Sequence, residues 1–275
     1  MSSFKRHGFT LIEVSLFLAI SGLLLIGIIA GTQSSISAQR FKDSVQNFAE
    51  FLRSVYSEVN NPQNTGTNMG RSDYAIYGRL ISFGQKRTTT GVIIPDYEQR
   101  IYVYDVIGQS DSIGTGSVAE ALRAANANVI IENKDASGNT TSVSFAGNVR
   151  EYIPTWGAAI DDAGKTNGTP YTGSILIVRH PRSGTISTLV GSDVININKT
   201  VIDANNSKNF TNAQKMLKDK LNSFGASVVN FCVNPNGPNL KADVRRNVRL
   251  LSNARNASGV ELINQDDDNN ACLKK

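Results

Sequence analysis

Apolar residues fill the chain from Phe9 to Thr32, and a single charge, Glu13, stands inside the run. As a helix rising about 1.5 Å per residue the run is about 36 Å long, enough to cross a hydrocarbon core of about 30 Å. The pattern then changes period rather than ending. Phe41, Val45, Phe48, Leu52, Val55 and Val59 recur at alternating spacings of four and three, with Arg40, Lys42, Asp43, Gln46, Asn47, Glu50, Arg53 and Glu58 between them. That is a helix with one buried stripe. Asn60, Asn61 and Pro62 stop it, because proline drives the preceding residue out of helical geometry. One continuous helix from Phe9 to about Asn60 is expected, about 78 Å long. Its first part, 9–32, needs an apolar environment all round; its second, 33–60, needs one on a single side.

From residue 61 to 275 the pattern shortens to strand length. Tyr74 to Phe83, Arg100 to Ile107, Val129 to Glu132, Ser142 to Ala146, Ser174 to Arg179 and Thr185 to Val190 are rich in β-branched and aromatic residues, and Gly, Asn, Asp, Ser or Pro bound them. Ser227 to Val233, Val244 to Leu251 and Val260 to Ile263 complete the expected strands. Two short helices interrupt them, Ser117 to Asn126 and about Thr211 to Phe224. The fold class is α+β: a long N-terminal helix packed on a mainly antiparallel, β-rich globular head.

Before the apolar run stand Lys5, Arg6, His7 and Gly8. A secretory signal peptide carries its small-residue cleavage site after the apolar stretch, whereas Gly8 lies before it, so cutting there leaves the apolar segment on the mature chain. The basic residues ahead of the span predict a cytoplasmic N-terminus and an outward head. Together, Lys5 to Gly8, Phe9 and Glu13 resemble the class III leader of type IV prepilins and pseudopilins. The resemblance covers Lys5 to Thr32 closely and the rest only in layout. It implies a leader of residues 1–8, cleavage between Gly8 and Phe9 by a prepilin peptidase, N-methylation of Phe9, and assembly through Glu13. The α-amino group freed on Phe9 lies one helical turn from Glu13, so the carboxylate can pair with its own N-terminus or a neighbour's. The partners implied are other pilins or pseudopilins, the peptidase, a pilus or secretion assembly platform and the cytoplasmic membrane. The chain is expected there as a single-pass precursor, and on the cell surface after assembly.

Composition adds little chemistry. Cys232 and Cys272, in an outward-facing head, invite a disulfide bounding the C-terminal region 227–275; the resemblance implies the same. His180 is the only histidine left once the leader is gone, and no nucleophile–base pair or zinc spacing accompanies it, so neither catalysis nor a cofactor is expected. Gly114-Thr-Gly116-Ser-Val-Ala119 has the glycine spacing of a dinucleotide site, but six residues separate it from Ile107 where a tight turn is needed. Asp266, Asp267 and Asp268 offer oxygen ligands without the glycine and glutamate of a calcium loop. The net charge is +5, and loss of Lys5 and Arg6 removes two of those charges. Arg245, Arg246, Arg249 and Arg255 form a candidate polyanion-binding group, DNA included. Three roles share such an anchor: a minor pilin, a pseudopilin of a type II-like secretion system, and a pilus-borne DNA-uptake or adhesion receptor. Tyr171 to Thr185 and Arg245 to Leu251 look faintly similar to H-type minor pseudopilins and their pilus counterparts.

Overall fold

The computed structural model describes residues 10–61, 74–84, 99–109, 116–134, 136–137, 140–145, 149–163, 169–180, 183–192, 217, 221–235, 245–263 and 271–272. The first helix, α1, runs Leu11–Asn60 without a break. The strands in chain order are β1 (Tyr74–Gly84), β2 (Arg100–Gln109), β3 (Ile130–Lys134), β4 (Thr140–Phe145), β5 (Arg150–Tyr152), β6 (Ala159–Asp162), β7 (Gly173–Arg179), β8 (Ile186–Gly191), β9 (Phe224–Gly225), β10 (Val229–Asn234), β11 (Arg246–Leu250) and β12 (Val260–Ile263). A short helix, α2 (Val118–Ala124), lies between β2 and β3.

All strand pairings are antiparallel. They form a six-stranded sheet in the order β5-β2-β1-β7-β8-β9, a four-stranded sheet β12-β11-β10-β6, and the β3-β4 hairpin. Side chains alternate across a strand, and here the alternation feeds two cores. Ile81, Phe83, Ile101, Val103, Ile175 and Ile177 face α1, whereas Leu80, Tyr104, Val106, Leu176 and Val178 face α2, Leu217 and Leu221. That double burial is why β7 reads as an unbroken apolar run rather than an alternating one. Gly78 marks a bulge where β1 slips against β2; a Cβ there would meet Ile177 O at 2.1 Å.

The second half of α1 seals the first core and touches both sheets. Phe41, Val45, Phe48, Leu52, Val55 and Val59 are all buried, joined by Ala49, Phe51 and Tyr56. Each large side chain so buried contributes about 1.5–3 kcal/mol. Phe231 of β10 meets Phe48 edge-on at 5.3 Å and stacks on Phe83 at 5.2 Å, linking helix and both sheets. Gln99 joins the sheets by a side-chain amide: its Nε2 donates to Ile160 O at 3.0 Å and its Oε1 accepts from Ile160 N at 2.7 Å. The expected disulfide is present between Cys232 on β10 and Cys272, their Cα atoms 5.5 Å apart.

Two expectations need correction. The helix begins at Leu11, not Phe9, because Thr10 is extended (φ −77°, ψ 153°) and acts as its cap. The helix expected over Thr211 to Phe224 is contradicted at its end. Leu221–Ser223 is a 3-10 turn, and Phe224 enters β9 beside Gly191, where its ring would lie only 3.1–3.3 Å from an added Cβ, closer than ordinary van der Waals contact. Of the rest of that segment, only Leu217 is described, and it is helical.

Candidate functional site along the first helix

Thr10 and Glu13 close the start of α1 on itself. Glu13 N donates to Thr10 Oγ1 at 3.3 Å, while Thr10 N and Thr10 Oγ1 both donate to Glu13 Oε2, at 2.8 and 3.0 Å. This is a reciprocal capping box, and it satisfies backbone donors that a helix start otherwise leaves unpaired. The carboxylate therefore has a local role besides the one expected for it with an α-amino group. Thr10-Leu-Ile-Glu13 carries that signal in plain sequence. Gly8 and Phe9, the expected processing site, lie outside the described residues, as do Asp266 to Asp268.

Beyond the cap, the apolar half of α1 buries nothing in its own chain. The window long and apolar enough to cross a membrane has none of its residues buried. Leu11, Phe17, Leu23 and Ile28 are each about two-thirds exposed or more. Gly22, Gly27 and Gly31 have only open space beside them, so another backbone can approach closely there. Such a surface is unstable in water and demands lipid or other helices.

Where α1 enters the head, the head grips it with polar groups as well as apolar ones. Ser44 Oγ donates to Thr155 O at 3.0 Å, and Asn47 Nδ2 donates to Thr155 Oγ1 at 3.4 Å. Arg53 Nη2 donates to Val260 O at 3.1 Å. Tyr56 and Thr188 share a buried hydrogen bond of 2.7 Å, and Thr188 Oγ1 donates on to Ala254 O. Near the far end, Glu58 receives both Arg79, at 3.2 Å, and Arg150. Arg79 Nη1 also stands 2.5 Å from Asp105 Oδ1, an ion pair by distance although not aligned as a hydrogen bond.

The arginines singled out near the C-terminus have different surroundings. Arg246 lines a groove of about 640 Å³ between α1 and the β11–β12 edge, together with Lys42 and Leu262. Arg249 points to the other face of the sheet, donating to Asn230 Oδ1 at 3.3 Å, with Glu261 at 3.9 Å. Arg245 is buried and Arg255 exposed. Positions an odd number apart along a strand face opposite ways, so Arg246 and Arg249 do not share one surface. His180 belongs to the β7–β8 hairpin, its Nδ1 accepting from Ser183 N at 3.3 Å. At the Gly116–Ser117 turn, the Glu120 carboxylate occupies the start of α2, accepting from Ser117 N at 2.7 Å. Among the described residues no group of three or more His, Cys, Asp or Glu side chains is arranged to hold a metal ion.

Residues 3–29 match the family model described as the prokaryotic N-terminal methylation motif. No curated protein and no solved structure matches the chain.

Proposed function

We propose, for a chain that its N-terminal methylation motif assigns to the type IV pilins and pseudopilins, the role of a structural subunit of a pilus-like filament, most specifically a minor pilin. The observation that carries this reading is the division of α1. One half is sealed into the head and the other is wholly exposed, continuous with the matched motif. A membrane-anchored precursor covers the exposed half with lipid; an assembled subunit covers it with the helices of other subunits. Processing between Gly8 and Phe9 then leaves the apolar half in place and frees an α-amino group four residues before Glu13, available to pair with its carboxylate or with a neighbour's. The role is structural rather than catalytic.

The size of the head favours a specialised, low-abundance subunit over a bulk one. Quantitative mass spectrometry of filaments sheared from cells tests this. A trace amount of chain beginning at methylated Phe9 is the expected result, and dominance in the filament would make it the major subunit instead. Processed chain retained in the membrane and absent from sheared filaments would favour the pseudopilin of a type II-like secretion system. Glu13→Ala is expected to insert in the membrane yet enter filaments poorly; incorporation at the wild-type level would remove Glu13 from assembly.

A further inference from the structure

The only tryptophan of the chain, Trp156, sits in the turn Thr155–Gly157 at φ 59° and ψ 28°. Left-handed backbone is strained for a bulky residue and persists only where the surroundings enforce it. Here α1 enforces it, through the bonds from Ser44 and Asn47 to Thr155. The ring nevertheless stays out of the core, 57 % exposed, with the guanidinium carbon of Arg40 4.9 Å from its centroid. Arg40 itself makes no ion pair among the described residues.

Arg40 is also the first charged residue after Glu13. The helix between them is about 40 Å long, and a bilayer with its headgroups is about 40–45 Å thick. With Glu13 in the inner headgroup layer, Arg40 reaches the outer one. Helical side chains lean towards the N-terminus, so the guanidinium reaches back towards lipid, and the indole stacked with it lies at the same depth. Tryptophan concentrates at that depth, and arginine reaches its charge to it. Lys42 adds a second cation about 3 Å further along the helix. Asp43, which accepts from Gln39 Nε2 at 2.8 Å, brings one negative charge against these two cations, so the three residues together are net positive, the sign that suits lipid phosphates.

We propose that Trp156 and Arg40 form an interfacial foot by which the unassembled head rests on the outer headgroup layer of a phospholipid bilayer, Arg40 on phosphate and the indole beside the glycerol backbone. The turn Thr155–Gly157 fixes the tilt of the head over its anchor. The proposal rests on the membrane-anchored state of the chain, not on its role in a filament.

A sole tryptophan makes the test direct. The full-length chain is reconstituted into phosphatidylethanolamine/phosphatidylglycerol vesicles containing lipids brominated at defined acyl positions, and flotation reports insertion. Lipids brominated near the glycerol should quench Trp156 strongly, lipids brominated at the chain ends weakly, and aqueous acrylamide less than in detergent micelles. Arg40→Gln should weaken the shallow bromolipid quenching while leaving flotation unchanged. Floating chain whose tryptophan is open to acrylamide and untouched by bromolipid would overturn the foot. So would a ring shielded from both quenchers, the outcome expected if a second copy covers it. Failure to float would overturn the anchor and the foot together.

Discussion

Replacing Phe48 by alanine removes the ring at the centre of the seam between α1 and the two sheets. Phe48 is fully buried, edge-on to Phe231 at 5.3 Å and within 6.1 and 6.4 Å of Tyr152 and Phe51. Those neighbours are themselves held, Phe231 by Phe83 and Tyr171, and Tyr152 by stacking on Phe51 at 4.2 Å. The cavity therefore has little freedom to collapse. A phenylalanine-to-alanine change in such a site costs about 3–5 kcal/mol, a large share of the roughly 5–15 kcal/mol that holds a domain together. Phe17 carries the same ring on the same helix but is 70 % exposed. Phe17→Ala should change the stability of the head by no more than about 0.5 kcal/mol. Urea unfolding of the full-length chain in micelles, followed by near-ultraviolet circular dichroism, measures both changes if the denaturant slope stays constant. A loss below about 1 kcal/mol for Phe48→Ala, against the 3–5 expected of a packed core, would refute the reasoning. An equal loss for both variants would refute it too, since it would mean that the helix does not divide its two halves between head and surroundings.

Reduction of the Cys232–Cys272 bridge, or Cys272→Ser, should lower stability by about 4 kcal/mol in the chain-entropy model, given a sequence separation of 40; an unchanged urea midpoint would show that the bridge restrains nothing. Burial pushes the hydroxyls of Tyr56 and Tyr171 up to about 12 from an ordinary 10, against the hydrogen bond shared with Thr188 in the first case and helped by Asp162 in the second. The folded state thus holds these protons more tightly than the unfolded one. The resulting stability is fully present below pH 10 and is lost as pH rises towards about 12, by about 1.4 kcal/mol per pH unit for each tyrosine. Urea midpoints that stay level across that window would contradict their burial. Gly8→Ala should leave the leader uncut, and a mature N-terminus at Phe9 in that variant, read by mass spectrometry, would defeat the processing assignment.

The elements that sequence reveals are those whose own side chains decide them. α1 declares its stripe from Phe41 to Val59, and β12 begins at Val260 and ends at Ile263, as its β-branched ends suggest. β5, β6 and β9 leave almost no trace, for they are short and all three are edge strands. Arg150-Glu-Tyr and Ala159-Ile-Asp-Asp carry little β preference of their own, and β6 exists because β10, far along the chain, pairs with it. The expected end of the second short helix at Phe224 was overturned for a related reason. Its apolar spacing fits a helix, yet Gly191 offers Phe224 a strand edge to cover. At the candidate site, Glu13 stands out as a lone charge, while its cap on Thr10 was equally readable and is local. The grip of Thr155 on Ser44 and Asn47 was not readable, because it joins residues 111 and 108 positions apart. Arg246 and Arg249 show the reverse limit, since closeness along a strand is not closeness on a surface.

The unbroken run of α1 from Leu11 to Asn60 also makes the chain a mechanical element. Tension applied to the anchor passes up one ladder of backbone hydrogen bonds and reaches the head along the whole buried stripe at once. The stripe must slide in shear, from Phe41 to Val59, with Ser44, Asn47 and Arg53 tethered to backbone and hydroxyl groups across the seam. Shear engages these contacts together, whereas peeling would break them one turn at a time. The head is therefore built to be pulled from its anchor end.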